Sequence, residues 1–249
     1  MYTREQTISR MNALGRAECP FFFVISHDMG HNLLFEPSET KGERMAAFSL
    51  PLGTMGSQAG GPPLPERLRF IPSPHPVSRY AASFASVRNH LMRGDSYLLN
   101  LCVSTPVETN LTLRHLFWFA RAPYRMLLGP DARISGVHGR GCVCFSPEPF
   151  VTVRGRSIST FPMKGTVPSA TQEARRWRET DEKENRESAT IVDLMRNDLS
   201  MVATGVRVKR YRYISPVETS KGTILQCSSE ISGLLPENWR SRLGEILLK

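Results

Sequence analysis

The sequence predicts an α+β fold built mostly from antiparallel sheets. Short apolar or alternating runs recur at 21–25, 44–50, 97–103, 124–128, 132–137, 141–145, 151–153, 157–160, 206–214 and 223–231. Helical periodicity is confined to a few stretches, too few to place a crossover helix between successive strands as a parallel sheet requires. Arg154-Gly155-Arg156 joins two of the runs at hairpin spacing.

Taken in order, Thr3–Leu14 reads as an opening helix, with Gly15 as the residue that stops it. Phe21–Ile25 reads as a buried strand and Arg44–Leu50 as a second. Residues 51–76 are dense in proline and glycine and read as an irregular loop. Ala81–Met92 is helical in pattern and ends at Gly94. Tyr97–Val103 is strand-like, and Leu111–Ala120 is a helix whose start Asn110 caps. Strands follow at Tyr124–Leu128, Ala132–Val137 and Gly141–Phe145, then the hairpin of Val151–Val153 and Ser157–Thr160. A helix over Glu182–Met201 precedes two further strands, Val206–Ile214 and Thr223–Ile231. Trp239–Lys249 is a helix still in progress, with Ile246-Leu247-Leu248 apolar and no stop signal after it.

With 249 residues, 40% of them apolar and 22% charged, the chain has the composition of a soluble globular protein able to bury a sizeable core. Its five cysteines are odd in number and lack framework spacing, which points to a reducing, cytoplasmic setting. Cys142 and Cys144 alternate as neighbours on a core strand do, not as metal ligands. No twenty-residue apolar run exists, so no membrane span is expected, and the first residues do not form a signal peptide. The net charge of +9 is scattered and interleaved with acids. It fits a solvated basic surface that favours a dianionic small substrate better than a nucleic-acid partner. The histidines (His27, His31, His75, His90, His115, His138) match no motif and read as surface or loop residues.

The segment that carries chemistry is Phe161-Pro162-Met163-Lys164-Gly165-Thr166. Proline fixes one backbone angle and glycine permits unusual ones, so this turn can hold an amine in one place. Acids flank it, in Ser146-Pro147-Glu148 upstream and Lys183-Glu184-Asn185-Arg186-Glu187 downstream. On a helix, Glu184, Glu187, Ile191, Leu194, Met195 and Asp198 fall within an arc of about 100° while Asp193 points away. That places two carboxylates one turn apart beside the apolar stripe. Inward like charges need a cation, and Mg²⁺ suits them because it takes one or two carboxylates plus waters and substrate oxygens.

Four ordered blocks resemble the chorismate-utilising enzymes, specifically the aminodeoxychorismate synthase component I group. They are Gly94–Leu101 (GDSYLLNL), Phe145–Phe150 (FSPEPF), Pro162–Thr166 (PMKGT) and Lys183–Leu199 (KENRESATIVDLMRNDL). The resemblance implies one chorismate-binding domain over 1–249, with an N-terminal lobe over 1–93 and a core over 94–249. It implies stacked antiparallel sheets with peripheral helices. It implies Mg²⁺-dependent amination of chorismate to 4-amino-4-deoxychorismate for para-aminobenzoate and folate synthesis, with ammonia supplied by a glutamine amidotransferase partner.

Residue by residue, the resemblance makes Lys164 the covalent nucleophile and Glu148 the general acid. Glu187 becomes a Mg²⁺ ligand, with Glu184 beside the metal. Anthranilate synthases carry alanine where Lys164 stands. Gly165 and Thr166 fall at substrate-binding positions, where Thr166 either offers its hydroxyl or amide to a carboxylate or closes the turn. Gln226 stands where many relatives have histidine; it can hydrogen-bond but cannot transfer protons as histidine does, which argues against pyruvate elimination. Leu98 replaces the water-activating lysine of isochorismate-type relatives, which argues against hydroxylation. Relatives continue past the position of Lys249 through a glycine-rich segment and a further metal-binding glutamate. The expectation is therefore that residues 1–249 alone are C-terminally incomplete and turn over little, with Ile246, Leu247 and Leu248 exposed.

Overall fold

A computed structural model describes residues 1–37, 46–51, 53–55, 60–97, 99–130, 141–168, 182–219 and 222–249. Helix α1 (Arg4–Arg16) is followed by strands β1 (Phe22–Val24), β2 (Leu33–Phe35), β3 (Ala46–Leu50), β4 (Gly53–Met55) and β5 (Phe70–Pro72). Next come α2 (Val77–Met92), β6 (Val107–Thr109), α3 (Leu113–Phe119), β7 (Tyr124–Leu128), β8 (Cys142–Ser146), β9 (Thr152–Arg154), β10 (Ser157–Thr160) and β11 (Met163–Pro168). The chain closes with α4 (Glu182–Ser200), β12 (Thr204–Thr219), β13 (Gly222–Leu234), a 3₁₀ turn (Trp239–Arg242) and α5 (Leu243–Leu247). All strand pairings among the described residues are antiparallel, as the α+β expectation requires.

Two compact units result, one of Met1–Gly60 with Phe119–Lys249 and one of Gly61–Trp118. The expected division near residue 93 falls within the second unit, just after α2. In the first unit one sheet runs β4-β3-β7-β8. The other is built on β13, with β12 along one edge, β10 and β11 sharing the opposite edge, and β9 outside β10. Phe22 of the β1–β2 hairpin stacks on Phe48 at 4.4 Å between ring centroids, and Leu33, Phe35, Ala46, Phe48 and Leu128 form one buried cluster. A second cluster joins α4 to the β13 sheet through Val192, Leu199, Ile158, Ile231 and Leu235.

Helix α1 begins at a capping box, in which Thr3 Oγ1 accepts from the Gln6 N–H and Gln6 Oε1 accepts from the Thr3 N–H. Gly15 does not stop this helix. It lies in the last turn, where the Arg240 carbonyl occupies the space a Cβ would fill. The same logic holds at Gly244, whose Cβ would sit 2.5 Å from the Ile8 Cα. Two glycines thus let α1 and the C-terminal segment meet backbone to backbone. Gly244 N–H donates to Asn12 Oδ1 at 2.8 Å and Arg4 Nη2 donates to the Leu248 carbonyl at 2.9 Å.

Leu248 consequently packs with Met11, Leu14 and Leu34 and is 3% exposed, while Ile246 and Leu247 are half-buried. The expectation that these three would be bare is corrected, because Leu247 and Leu248 pack with the α1 cluster and Ile246 with the cluster of α4 and β13. Burying one leucine contributes about 1.5–3 kcal/mol.

Other local readings change too. Residues 51–76 contain β4 and β5, because a proline can end an edge strand such as β5 at Pro72. The described part of Tyr97–Val103 forms no ladder, and β6 begins only at Val107. Thr112, not Asn110, caps α3: its Oγ1 accepts from the His115 N–H at 3.3 Å. Asn110 instead pins the start of β5, accepting from Arg69 N–H and donating to the Arg67 carbonyl. His115 is buried, with Nδ1 accepting from the Thr112 N–H and Nε2 facing the Pro63 carbonyl at 3.0 Å. It is a satisfied structural histidine. The expected strand at 132–137 and His138 lie outside the described residues.

The α1–α5 contact is directly testable. Gly244→Ala forces a methyl against the Ile8 backbone, which cannot rotate away, and should cost about 1–3 kcal/mol in denaturant unfolding. Gly60→Ala, which meets open space, should stay within about 0.5 kcal/mol of the parent. Equal midpoints for the two variants would show that the helices do not approach so closely.

Candidate active site

The lysine segment is a strand, and its irregularity is what matters. In β11, Met163 pairs with Ser228, Lys164 with Cys227 and Thr166 with Gln226, with a register shift between Lys164 and Thr166. Gly165 absorbs the extra residue at φ 70°, a conformation glycine adopts without steric cost. Across β13, Tyr213, Ile214 and Ser215 of β12 pair with Ser228, Cys227 and Gln226. Three strands therefore present the rows Met163–Ser228–Tyr213, Lys164–Cys227–Ile214 and Thr166–Gln226–Ser215 side by side.

Alternation places Gln226 and Ser228 on one side of β13. Both are buried, and Gln226 Nε2 donates to Ser228 Oγ at 3.0 Å. Tyr213 shares this corner through a side-chain hydrogen bond with Ser228. Arg210 lies over the Tyr213 ring at 4.0 Å and donates from Nε to Glu230 Oε2 at 2.8 Å. Burial raises the Tyr213 phenol above its ordinary value, and the carboxylates of Glu230 and Glu148 act in the same direction. Arg210 and the Ser228 hydrogen bond pull it back.

That influence brings Glu148 into the group. Glu148 follows β8 in a tight turn: Ser146 Oγ donates to the Glu148 carbonyl at 2.8 Å and accepts from its N–H at 3.3 Å. The turn holds the half-buried Glu148, whose Oε2 is shielded from solvent. Beside it Pro147, Arg121, Pro123, Ser215 and Gln226 line a groove of 370 Å³.

Of the residues singled out by sequence, the structure assembles Glu148, Gly165, Thr166 and Gln226 around the centre of β13. The backbone of Lys164 lies in the same ladder. The side chains of Lys164 and Glu184 lie outside the described residues.

The face of α4 needs correction. Ser188, Val192 and Leu199 are buried, Met195 is half-buried, and Leu194 is 49% exposed. The buried stripe lies about 90° round the helix from the expected arc. Glu187 and Asp198 are exposed, not turned to the core. The cause is packing: Val192 and Leu199 are the residues that meet Ile231 and Leu235, and the small Ser188 lies on the same stripe. Asp193 does point outward, 3.4 Å from Arg196 Nη1. Among the described residues no group of three His, Cys, Asp or Glu side chains is assembled as a metal site. Cys142 and Cys144 are strand neighbours as expected, with Cys142 packed on the first cluster and Cys144 exposed.

Sequence reasoning missed Tyr213 and Ser228, since the alternation of β12 marked a strand without showing which residues meet across β13. A half-legible signal existed in the run of Ser228-Ser229 inside an apolar strand.

This chain belongs to the chorismate binding enzyme family, whose model matches residues 16–245. It is 42% identical over 245 residues to an uncharacterized PabA-like protein of Haemophilus influenzae, covering 98% of this chain and 70% of that protein. Shorter matches reach aminodeoxychorismate synthase component 1 of Klebsiella aerogenes, 31% identical over 145 residues (55% of this chain, 31% of that protein). Anthranilate synthase component 1 of Streptomyces coelicolor matches at 31% over 169 residues (64% and 32%). In fold the chain is similar to DhbC of Bacillus anthracis, assigned as a 2,3-dihydroxybenzoate-specific isochorismate synthase. The TM-score is 0.59 at 18% identity, over 98% of this chain and 64% of that one.

The Tyr213 environment makes a prediction. A phenol raised by burial keeps its proton longer in the folded protein than in the unfolded chain. Its contribution to stability is intact below pH of about 10 and is lost as pH rises through the elevated value. Absorbance titration should show one late-ionising tyrosine that Tyr213→Phe removes. An unchanged titration curve for Tyr213→Phe would exclude this environment.

Proposed function

We propose that this chain is the chorismate-aminating component of an aminodeoxychorismate synthase, acting in the cytoplasm. It would convert chorismate and ammonia into 4-amino-4-deoxychorismate and water, the ammonia coming from a glutamine amidotransferase partner. The observation that carries this reading is Lys164 in a glycine-bulged strand of a chorismate-binding family member. Identity alone does not separate the candidate reactions, because aminodeoxychorismate and anthranilate synthases match equally well. The lysine favours amination, since the family resemblance puts alanine in its place in anthranilate synthases.

In this reading the Lys164 amine attacks C2 of chorismate, the double bonds shift, and the C4 hydroxyl leaves with a proton from Glu148. Ammonia then adds at C4, the double bonds return, and Lys164 is released. Gln226 and Thr166 would orient the ring and a carboxylate by hydrogen bonds. The donor set on α4 fits a hard cation: Glu184 and Glu187 are carboxylates one turn apart, and Glu187 opens to water, which Mg²⁺ retains. Bound there, Mg²⁺ would supply positive charge to a substrate carboxylate.

The test is a product assay on the protein with chorismate, Mg²⁺ and ammonium. Parent protein should yield 4-amino-4-deoxychorismate, and Lys164→Ala should lower its rate by several orders of magnitude while leaving chorismate binding. Anthranilate as the parent product, or near-normal turnover by Lys164→Ala, would refute the covalent role. In the same assay Glu187→Gln should raise the Mg²⁺ concentration needed for half-maximal rate. Glu173→Gln, outside the motif, should not; superimposable Mg²⁺ titrations would return α4 to a solvated face.

A further inference from the structure

One residue of β12 has a chemistry that the groups above do not use. Pairing with β13 matches Arg210 to Glu230 and Tyr213 to Ser228, which leaves Tyr211 and Arg212 opposite the single residue Ser229. Arg212 takes up the surplus in the left-handed region at φ 49°, a backbone state a non-glycine residue holds only when its surroundings impose it. Ser229 Oγ fixes the bulge by accepting the Arg212 N–H at 3.1 Å.

Bulges re-aim side chains, and this one directs a guanidinium into the protein, leaving Arg212 only 6% exposed. Its Nε and Nη2 are both shielded from solvent, and among the described residues neither has a hydrogen-bond partner. Those two N–H groups leave the same edge of the planar group, the edge that grips a carboxylate through two parallel bonds. The carboxylate of Glu230 is already engaged by Arg210 and Lys209. A buried cation without an acceptor is costly, so an oxyanion is the chemistry this edge demands.

Its position in the sheet suggests which oxyanion. Ser229, which fixes the Arg212 bulge, stands two residues along β13 from Cys227. Cys227 is the register partner of Lys164. From strand spacing and rise, the Cα of Arg212 lies about 12 Å from that of Lys164. A separation of that size leaves room for a small cyclic acid between the two backbones.

We propose that Arg212 is a carboxylate-binding residue whose Nε–Nη2 edge receives a carboxylate of a small cyclic acid. That the acid is chorismate rests on the function proposed above; the carboxylate site itself does not. Isophthalate, a ring dicarboxylate that cannot react, is the probe, titrated calorimetrically into the 249-residue chain at millimolar concentration. Parent protein should bind it. Arg212→Lys, which keeps charge but loses the fork, should bind about tenfold more weakly, and Arg212→Met about a hundredfold. Without ligand, Arg212→Met should melt at or above the parent temperature, since it removes an uncompensated buried charge.

The proposal is overturned if the parent does not bind, if Arg212→Met binds as the parent does, or if sulfate competes as well as isophthalate. It is also overturned if ligand-free Arg212→Met melts well below the parent, which would mean that the guanidinium has a partner within the protein. Should that variant not fold, the Arg212→Lys affinity decides. Arg212-dependent isophthalate binding without chorismate turnover would remove the aminating function alone. Chorismate turnover with unchanged KM in Arg212→Met would remove this inference alone.

Discussion

The register of β13 between its two neighbours is the constraint on which the candidate site depends. Side chains alternate along a strand, so a slip of one residue sends every following group to the opposite side. Two irregularities flank residues 226–230, the Gly165 bulge on one edge and the Arg212 bulge on the other. Each shifts its own strand by one residue while β13 between them stays straight. The result is that Thr166 and Tyr213 meet the Gln226–Ser228 side although their strands are otherwise offset. A regular sheet of the same sequence would not gather these groups.

On its β10 edge the same sheet is regular where it only has to be stable. Toward Leu234 the ladder with β10 runs without a shift, and there Ile158, Ile231 and Leu235 receive Val192 and Leu199 of α4. That apolar contact sets the rotation of the helix. Once Val192 faces the sheet, Ser188 one turn earlier is buried and Glu187 is turned outward. The placement of the helical carboxylates is thus decided by two aliphatic residues that carry no chemistry.

Strand existence was legible because alternation and turn residues are local. The β9–β10 hairpin, the long pair β12–β13 and α4 all follow from Arg154-Gly155-Arg156 and from apolar periodicity. The motif residues Glu148, Gly165, Thr166 and Gln226 were legible as candidates, and the segments that carry them lie near the centre of β13. What sequence could not show was decided by contacts between distant segments. Gly15 looks like a helix stop until the Arg240 carbonyl arrives to fill its space. Leu248 looks bare until α1 lies over it. The α4 face was misjudged because Leu194 and Val192 are equally apolar, and only the position of Ile231 chooses between them. Bulges were invisible for a related reason, since the extra residue is defined by the partner strand.

The polarity of the centre of β13 is itself informative. Gln226, Ser228, Ser229 and Ser232 are all buried in the middle strand of a five-stranded sheet, where valine or isoleucine would contribute more to stability. Buried polar groups cost free energy unless they are paired. Here the pairing differs along the strand. Gln226 is matched to Ser228, and the Ser229 hydroxyl is occupied by the Arg212 N–H. Among the described residues the Arg212 guanidinium edge, reaching in from β12, is not matched. A strand that gives up apolar packing for satisfied hydrogen bonds gains only a defined geometry. The guanidinium that β12 buries against it gains nothing from folding alone, and the proposed carboxylate is what would compensate it.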